Sequence, residues 1–449
     1  MSMFERFKAD LTGDAVFNRV LKNMSWLFSA HIMIAALGLI SLAVTARALG
    51  PAGLGILAIV ESYVRIVDRL LRLEPWQAVI KYGVDALERE EKGRFHRLIK
   101  LSILIDLAGG FLAGSVAIAL AWFIAPRLGL PDDGFKYICL VALALFLSLR
   151  PTGIAVLRIY DRFDKLAKLD VFVAVLRLVL CVLAYWFDLG IWAFLAILLV
   201  QSLADGILAF VYALIELTKR GDHHIMRTRA RDAISENLGF LRFLWNSNFN
   251  VILRQSSQRF DVIILAALVD PAAVGFFHVA KRTANAALRF GRPLRQAIYP
   301  EIARIWARGE VARFARVVTR TSTLVFLVAF VCFVPIALNL PAILATFLGE
   351  EFRDAASLVT VQALAVIVYL SGIILNPTLL SMGKDKELVR ITIIATIAFF
   401  ALFVPLVKTF GATGAAISHL LFNLIWMAGC LVFLWRESQR RRANKVSDV

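Results

Sequence analysis

The sequence predicts an all-α polytopic membrane protein, with about twelve transmembrane helices in two six-helix bundles related by a parallel repeat. Three observations lead there. The chain has 449 residues, 60% of them hydrophobic, with a mean hydropathy of +0.75, too apolar for a water-soluble domain. Runs of membrane-spanning length recur, among them "WLFSAHIMIAALGLISLAV", "LVFLVAFVCFVPIALNL" and "IWMAGCLVFLW". A short motif also returns: "PAGLG" at 51–55 and "PAAVG" at 271–275, at an offset that aligns Arg69 with Arg289 and Arg72 with Arg292. A hydrocarbon core of roughly 30 Å takes about 20 residues of helix, and helices satisfy their own backbone hydrogen bonds there.

The elements follow in order. Residues 1–23 are too polar for a cleavable signal, and Phe4, Phe7, Leu11, Phe17 and Leu21 make them an amphipathic helix on the membrane surface. A first bundle, 24–216, holds spans near 24–46, 53–80, 101–125, 137–157, 168–187 and 191–216. Residues 217–242 form a basic cytoplasmic linker. A second bundle, 243–435, holds spans near 243–268, 272–299, 318–346, 355–380, 389–408 and 412–435, followed by a basic tail at 436–449. The second and eighth spans are too charged for hydropathy alone; the loops require them. Alternate loops, such as "TKRGDHHIMRTRARD" and the tail "WRESQRRRANK", carry most of the cations, which places both termini in the cytoplasm. Six spans per half make both halves enter from the same side.

The net charge of +17 does not mark a nucleic-acid binder, because no compact soluble basic domain exists to bind one. Cys139, Cys181, Cys332 and Cys430 all fall in apolar runs and read as packing residues. No phosphate-binding loop, metal-ligand cluster or nucleophile–base arrangement is present in the sequence. The reading is therefore not an enzyme, with no cofactor and no metal, and transport is the class that remains.

Charged stripes carry the functional reading. His278, Lys281, Arg282, Asn285, Arg289 and Arg292 share one helical face, as do Glu61, Arg65, Asp68, Arg69 and Arg72. Ser247, Asn250, Arg254, Gln258 and Asp261 do the same on the seventh span. A cation at mid-bilayer costs about 2.5–3.5 kcal/mol on insertion scales, so these faces must meet in a water-filled cavity rather than face lipid. Cations outnumber carboxylates on the stripes, so the cavity should select anions. Arg65, Arg69, Arg254, Lys281, Arg282, Arg289, Asn250 and Asn285 are the candidate substrate-binding residues. Glu61, Asp68 and Asp261 are candidates for ion coupling or charge pairing, Asp261 with Lys281 or Arg282. Arg72, Arg292 and Arg295 are expected to snorkel to the cytoplasmic interface. Asp106, Arg177 and Asp205 are isolated intramembrane charges suited to inter-helix pairs.

The chain also resembles the lipid-linked oligosaccharide (O-antigen type) flippases of the polysaccharide-transport family, within the superfamily of multidrug, oligosaccharidyl-lipid and polysaccharide exporters. The likeness runs through "ARALGPAGLGILAIV", "QRFDVIILAALVDPAAVGFFHVAKR", "YPEIAR", "LLSMGKDK" and "GATGAAIS". It implies two six-helix bundles around a V-shaped central cavity and alternating access. It also implies an undecaprenyl-pyrophosphate-linked glycan as substrate. The first span lacks the carboxylate that related multidrug exporters often carry, and the two additional spans of the peptidoglycan-precursor flippases are not found.

The combined expectation is a monomeric inner-membrane flippase of an anionic lipid-linked oligosaccharide, serving lipopolysaccharide O-antigen or exopolysaccharide biosynthesis. Its expected partners are that substrate, membrane lipids, and a polysaccharide polymerase or glycosyltransferases. A cation-coupled exporter of small amphipathic compounds and a non-transporting scaffold of a glycan synthase complex fit the same architecture. A drug-cation exporter should present net negative charge in its cavity, and a scaffold should tolerate loss of the arginines.

Overall fold

The structure, a computed structural model, describes residues 15–222, 225, 228–256 and 260–447. Those residues form α-helices joined by turns and short 3-10 segments, with no strand among them. In chain order the helices are α1 (Ala15–Leu71), α2 (Trp76–Glu88), α3 (Lys92–Ile124), α4 (Gly134–Phe146), α5 (Arg150–Ile159) and α6 (Phe163–Trp186). They continue with α7 (Gly190–Lys219), α8 (Asp232–Glu236), α9 (Phe240–Ser256), α10 (Phe260–Ala266), α11 (Pro271–Ala307) and α12 (Val311–Leu338). The last are α13 (Leu340–Leu348), α14 (Ala356–Ser371), α15 (Leu375–Ser381), α16 (Asp385–Phe410) and α17 (Ala412–Ser447). Of the amphipathic segment expected over 1–23, residues 1–14 lie outside the described residues and the rest begins α1.

Eight helical stretches among the described residues are long and apolar enough to cross a membrane. One of them, Ser29–Leu71, is broken at Gly50, whose φ of 65° lies in the left-handed region. Pro51 then opens a new helix, in keeping with the preference of proline for a first turn. Counting α1 as two spans, and adding α6, the α9–α10 pair and α11, gives twelve in the expected order. Of the additions, α11 is heavily charged, and α9 and α10 are short, at 17 and 7 residues.

Two spans end differently from the sequence expectation. The second, expected over 53–80, stops at Leu71 because Glu74-Pro75 follows; the residue before a proline disfavours helix. The chain restarts as the separate helix α2. The fourth, expected over 137–157, is two helices, α4 and α5, parted at 147–149 ahead of Pro151. Proline removes one helical hydrogen bond and crowds the carbonyl four residues back. The tenth span shows the same device, α14 and α15 being parted ahead of Pro377. The fourth and tenth are corresponding spans in the two halves.

The chain divides into two compact units, residues 1–48 with 60–260, and 49–59 with 261–449. The first unit packs Phe95, Ile99, Val156, Leu157, Leu217 and Ile225 into one core. Its α9, which the sequence assigns to the second bundle, packs here instead, with Phe240 and Leu244 against Ala78 and Leu98. The segment after α7, read as a linker over 217–242, is held to the same unit. Arg97 pairs with Glu236 at 2.5 Å and Arg94 Nε donates to Asn237 Oδ1 at 2.9 Å. Tyr160 donates to Asp222 Oδ2 at 3.1 Å, and His96 Nε2 lies 2.8 Å from Asp222 Oδ1. Burial, then the Asp222 carboxylate beside it, push the Tyr160 phenol upward, so it remains a donor.

The second unit centres on Ile302, Phe314, Ile374, Leu379, Ala395, Trp426 and Cys430. The two repeated motifs touch within it. A Cβ on Gly55 would lie 1.7 Å from the Pro271 carbonyl oxygen, and one on Gly275 would lie 2.1 Å from that of Pro51. Neither position has room for a side chain, which is why each copy of the motif ends in glycine. Elsewhere the surface is apolar: Phe111, Trp122, Phe123, Trp186 and Val331 are all exposed. The most apolar window of α12 has no buried residue at all. Water would not tolerate such a surface, whereas a lipid bilayer requires it.

Candidate functional site

In the first unit, the helix breaks before Pro151 near the carbonyls of Ser148 and Leu145, the latter accepting a long bond from Ser148 N at 3.4 Å. Arg72 takes both, Nη2 donating to Leu145 at 2.9 Å and Nη1 to Ser148 at 3.2 Å. Its Nε sits 2.8 Å from Asp68 Oδ1. Arg72 is only 4% exposed, which corrects the expectation that it snorkels: its head satisfies a broken helix rather than reaching water.

Beside Arg72 lies a cavity of about 300 Å³ formed by the C-terminal part of α1, the end of α4, the start of α5, and α7. Each charged group on its wall has a partner of opposite sign. Arg65 pairs with Glu61 at 2.5 Å one helical turn away, and Arg69 with Glu74 at 2.6 Å. Arg150 at the start of α5 pairs with Asp205 of α7, and also with Asp170 of α6 at 2.9 Å. Four arginines therefore meet four lining carboxylates: Arg65, Arg69, Arg72 and Arg150 against Glu61, Asp68, Glu74 and Asp205. The surplus of cations expected from the stripe is absent in this cavity. The stripe omitted Glu74, beyond the end of α1, and Asp205, on another helix.

Arg150, Gln201 and Ser202 also line this cavity and were not among the sequence candidates. The available signal was charge of opposite sign buried in the fourth and sixth spans, Arg150 and Asp205. Asp106, the other isolated carboxylate of this unit, is fully buried, and its Oδ2 accepts from the backbone N of Thr152 at 2.9 Å and from its hydroxyl at 2.6 Å. That holds the start of α5 against α3.

In the second unit Asp261, at the start of α10, is fully buried. Of the two partners expected for it, the structure provides Lys281, whose Nζ lies 2.6 Å from both carboxylate oxygens. His419 of α17 adds a third contact, Nε2 to Oδ2 at 3.2 Å. The three side chains join α10, α11 and α17, with Phe277 and Phe399 against the His419 ring at 5.8 and 5.3 Å between ring centroids. A buried pair of this kind is strongly destabilised by loss of one partner, about 3–5 kcal/mol. Farther along α11, Arg282 Nε lies 3.4 Å from His278 Nε2; Arg289 is half-buried and Asn285 exposed. Arg295 is exposed. The side chains of Asn250, Arg254, Gln258 and Arg292 lie outside the described residues. The described sequence candidates thus form two groups, one inside each unit.

These features define a multi-pass membrane protein with buried ionic clusters, and solved transporters of the multidrug/oligosaccharidyl-lipid/polysaccharide superfamily are similar to it in fold. Two solved structures share the fold. An inward-facing multidrug resistance MATE transporter of that superfamily is similar with a TM-score of 0.65 at 15% identity, over 95% of this chain and 96% of that one. The lipid II flippase MurJ, in an inward closed conformation, gives 0.66 at 12% identity, over 91% and 87%. At such identities the likeness concerns fold alone. The sequence comparisons are more specific: residues 20–306 match the family of polysaccharide biosynthesis proteins, and the chain belongs to it. Inner membrane protein YghQ of Escherichia coli (strain K12) is 29% identical over 294 residues, 65% of this chain and 82% of that protein. A protein of Haloferax volcanii named "Probable low-salt glycan biosynthesis flippase Agl15" is 23% identical over 158 residues, 35% of this chain and 34% of its own length.

Proposed function

We propose that this protein is a flippase that carries an anionic, undecaprenyl-pyrophosphate-linked oligosaccharide from the cytoplasmic to the periplasmic leaflet of the inner membrane, by alternating access, for O-antigen or exopolysaccharide assembly. One observation carries the reading. The membrane-length stretch of α11 from Pro271 to Pro300 holds five Lys or Arg residues and no Asp or Glu. Asp261 engages one of them, Lys281, from a neighbouring helix. A helix this cationic is disfavoured against lipid and suits a site for phosphate oxygens. Membership of a polysaccharide biosynthesis family and the likeness to a glycan biosynthesis flippase support the same substrate class. A drug-cation exporter would place carboxylates along such a helix.

In this reading Arg282 and Arg289 of α11 hold the pyrophosphate, with Asn285 of the same helix assisting. Lys281 and Asp261 fix α10 to α11. The test is export of glycan in cells carrying Arg289→Ala or Arg282→Ala, with protein level and membrane insertion measured alongside. Export should fall at least about tenfold, as removal of a charge-assisted phosphate contact does. Lys at either position should recover part of it, because Lys keeps the charge and loses the bidentate fork. Full export in both alanine variants contradicts the assignment.

A further inference from the structure

The cavity inside the first unit differs in chemistry from the cationic helix of the second. Its wall carries as many carboxylates as guanidiniums, so it offers no net attraction to an anion or to a cation. What it does offer is hydrogen bonding of both kinds at close spacing. A guanidinium has five N–H donors and a carboxylate about four lone-pair positions, so paired groups retain unused capacity. Hydroxyl groups, each a donor and an acceptor at once, are the ligand chemistry that uses both.

A third side chain on the wall points the same way. Gln201 Oε1 is buried and has no hydrogen-bond partner among the described residues. An acceptor left in that condition is unfavourable unless a ligand or water donates to it. Gln201 lies one turn before Asp205 on α7, next to Ser202, and all three line the cavity together with the arginines of α1. Val64, Val141, Ala144, Leu145 and Leu198 supply apolar wall between the polar groups, which matches the C–H faces of a sugar ring. A volume of about 300 Å³ is at the low end of ligand cavities, the scale of a sugar unit rather than a long glycan.

We infer that the first-unit cavity is a carbohydrate subsite, in which Gln201, Ser202, Asp205 and Arg150 take the hydroxyls of a sugar unit of the substrate. The inference rests on the flippase reading above and deepens it by naming a place within the first unit where sugar is held. Arg65 and Arg69 then serve as hydroxyl donors held in place by Glu61 and Glu74.

The test compares two synthetic probes on the purified full-length protein in detergent. One is a short-chain polyprenyl pyrophosphate bearing a single hexose, tried across a small panel of hexoses and N-acetylhexosamines. The other is the same lipid pyrophosphate without sugar. At least one glycosylated probe should bind about tenfold or more tighter than the bare lipid, the yield of one or two well-made hydrogen bonds, one of them to the buried Gln201 Oε1. Gln201→Leu and, separately, Ser202→Val should shrink that advantage several-fold while leaving bare-lipid affinity unchanged; a merely structural defect would lower both. The wild-type comparison stands even if either variant fails to fold. Equal binding of all probes to the wild type overturns the carbohydrate subsite and leaves the pyrophosphate reading intact. Binding of neither class overturns the flippase reading and this inference with it.

Discussion

Glycine and arginine do most of the specifying at the scale of single residues. Gly55 and Gly275 let two helix starts touch backbone to backbone, where a Cβ would sit 1.7 and 2.1 Å from a carbonyl oxygen. Gly38, by contrast, has open space around its Cβ position. Gly55→Ala and Gly275→Ala should each force the helix starts apart and destabilise the protein by about 1–3 kcal/mol or more. Gly38→Ala should be neutral or mildly stabilising, as alanine in a helix is favoured by about 1 kcal/mol. Thermal unfolding in one detergent, compared across the three variants, measures both; equal melting temperatures would remove the packing explanation. Arg72 shows how a charged membrane residue can be structural. Its partners are the carbonyls of Leu145 and Ser148, at the helix break ahead of Pro151. No spacing rule in the sequence connects Arg72 to Ser148, so periodicity placed it on the stripe and missed its role.

At the scale of elements, the sequence announced most of what forms and little of where it ends. Hydrophobic length found the apolar spans, and loop charge recovered α1 beyond Gly50 and α11, which hydropathy alone rejects. The breaks before Pro75, Pro151 and Pro377 were legible in principle, since proline is visible in the sequence, yet apolar runs masked Pro151 and Pro377, and Pro75 lies in a charged stretch that only loop charge marked as a span. The candidate site was half legible. Stripes are a property of one helix, so they revealed Arg65, Arg69, Lys281 and Arg289 but not partners from other helices, such as Asp205 for Arg150 or His419 for Asp261. Membrane orientation belongs to this scale too. The cation-rich segments near residues 90, 230 and 445 should face the cytoplasm, and the cation-poor segments near 132 and 350 the periplasm. Reporter fusions at these five positions check the arrangement; a periplasmic signal at 230 contradicts it. The ion pairs that hold the 228–238 segment are exposed or half-exposed, so Arg97→Ala alone should cost no more than about 1 kcal/mol.

The whole molecule combines a lipid-facing apolar exterior with two internal polar clusters of different character, one balanced in charge and one rich in cations. A pyrophosphate-linked glycan has both chemistries in one molecule. Its roughly two negative charges also couple its passage to the membrane potential: each charge leaving a negative interior across 100 mV gains about 2.3 kcal/mol. On this account Glu61, Asp68 and Asp261 are structural members of ion pairs, and no proton or sodium gradient is required. The most direct test is transfer of a fluorescent polyprenyl-pyrophosphate hexose across vesicles containing the purified protein, followed by the fraction accessible to an external quencher. With the loaded side held negative by a potassium-diffusion potential and pH equal on both sides, wild-type protein should accelerate transfer, abolition of the potential should slow it, and Arg289→Ala should stop it. Transfer that ignores both the potential and Arg289, or no protein-dependent transfer at all, would contradict the account.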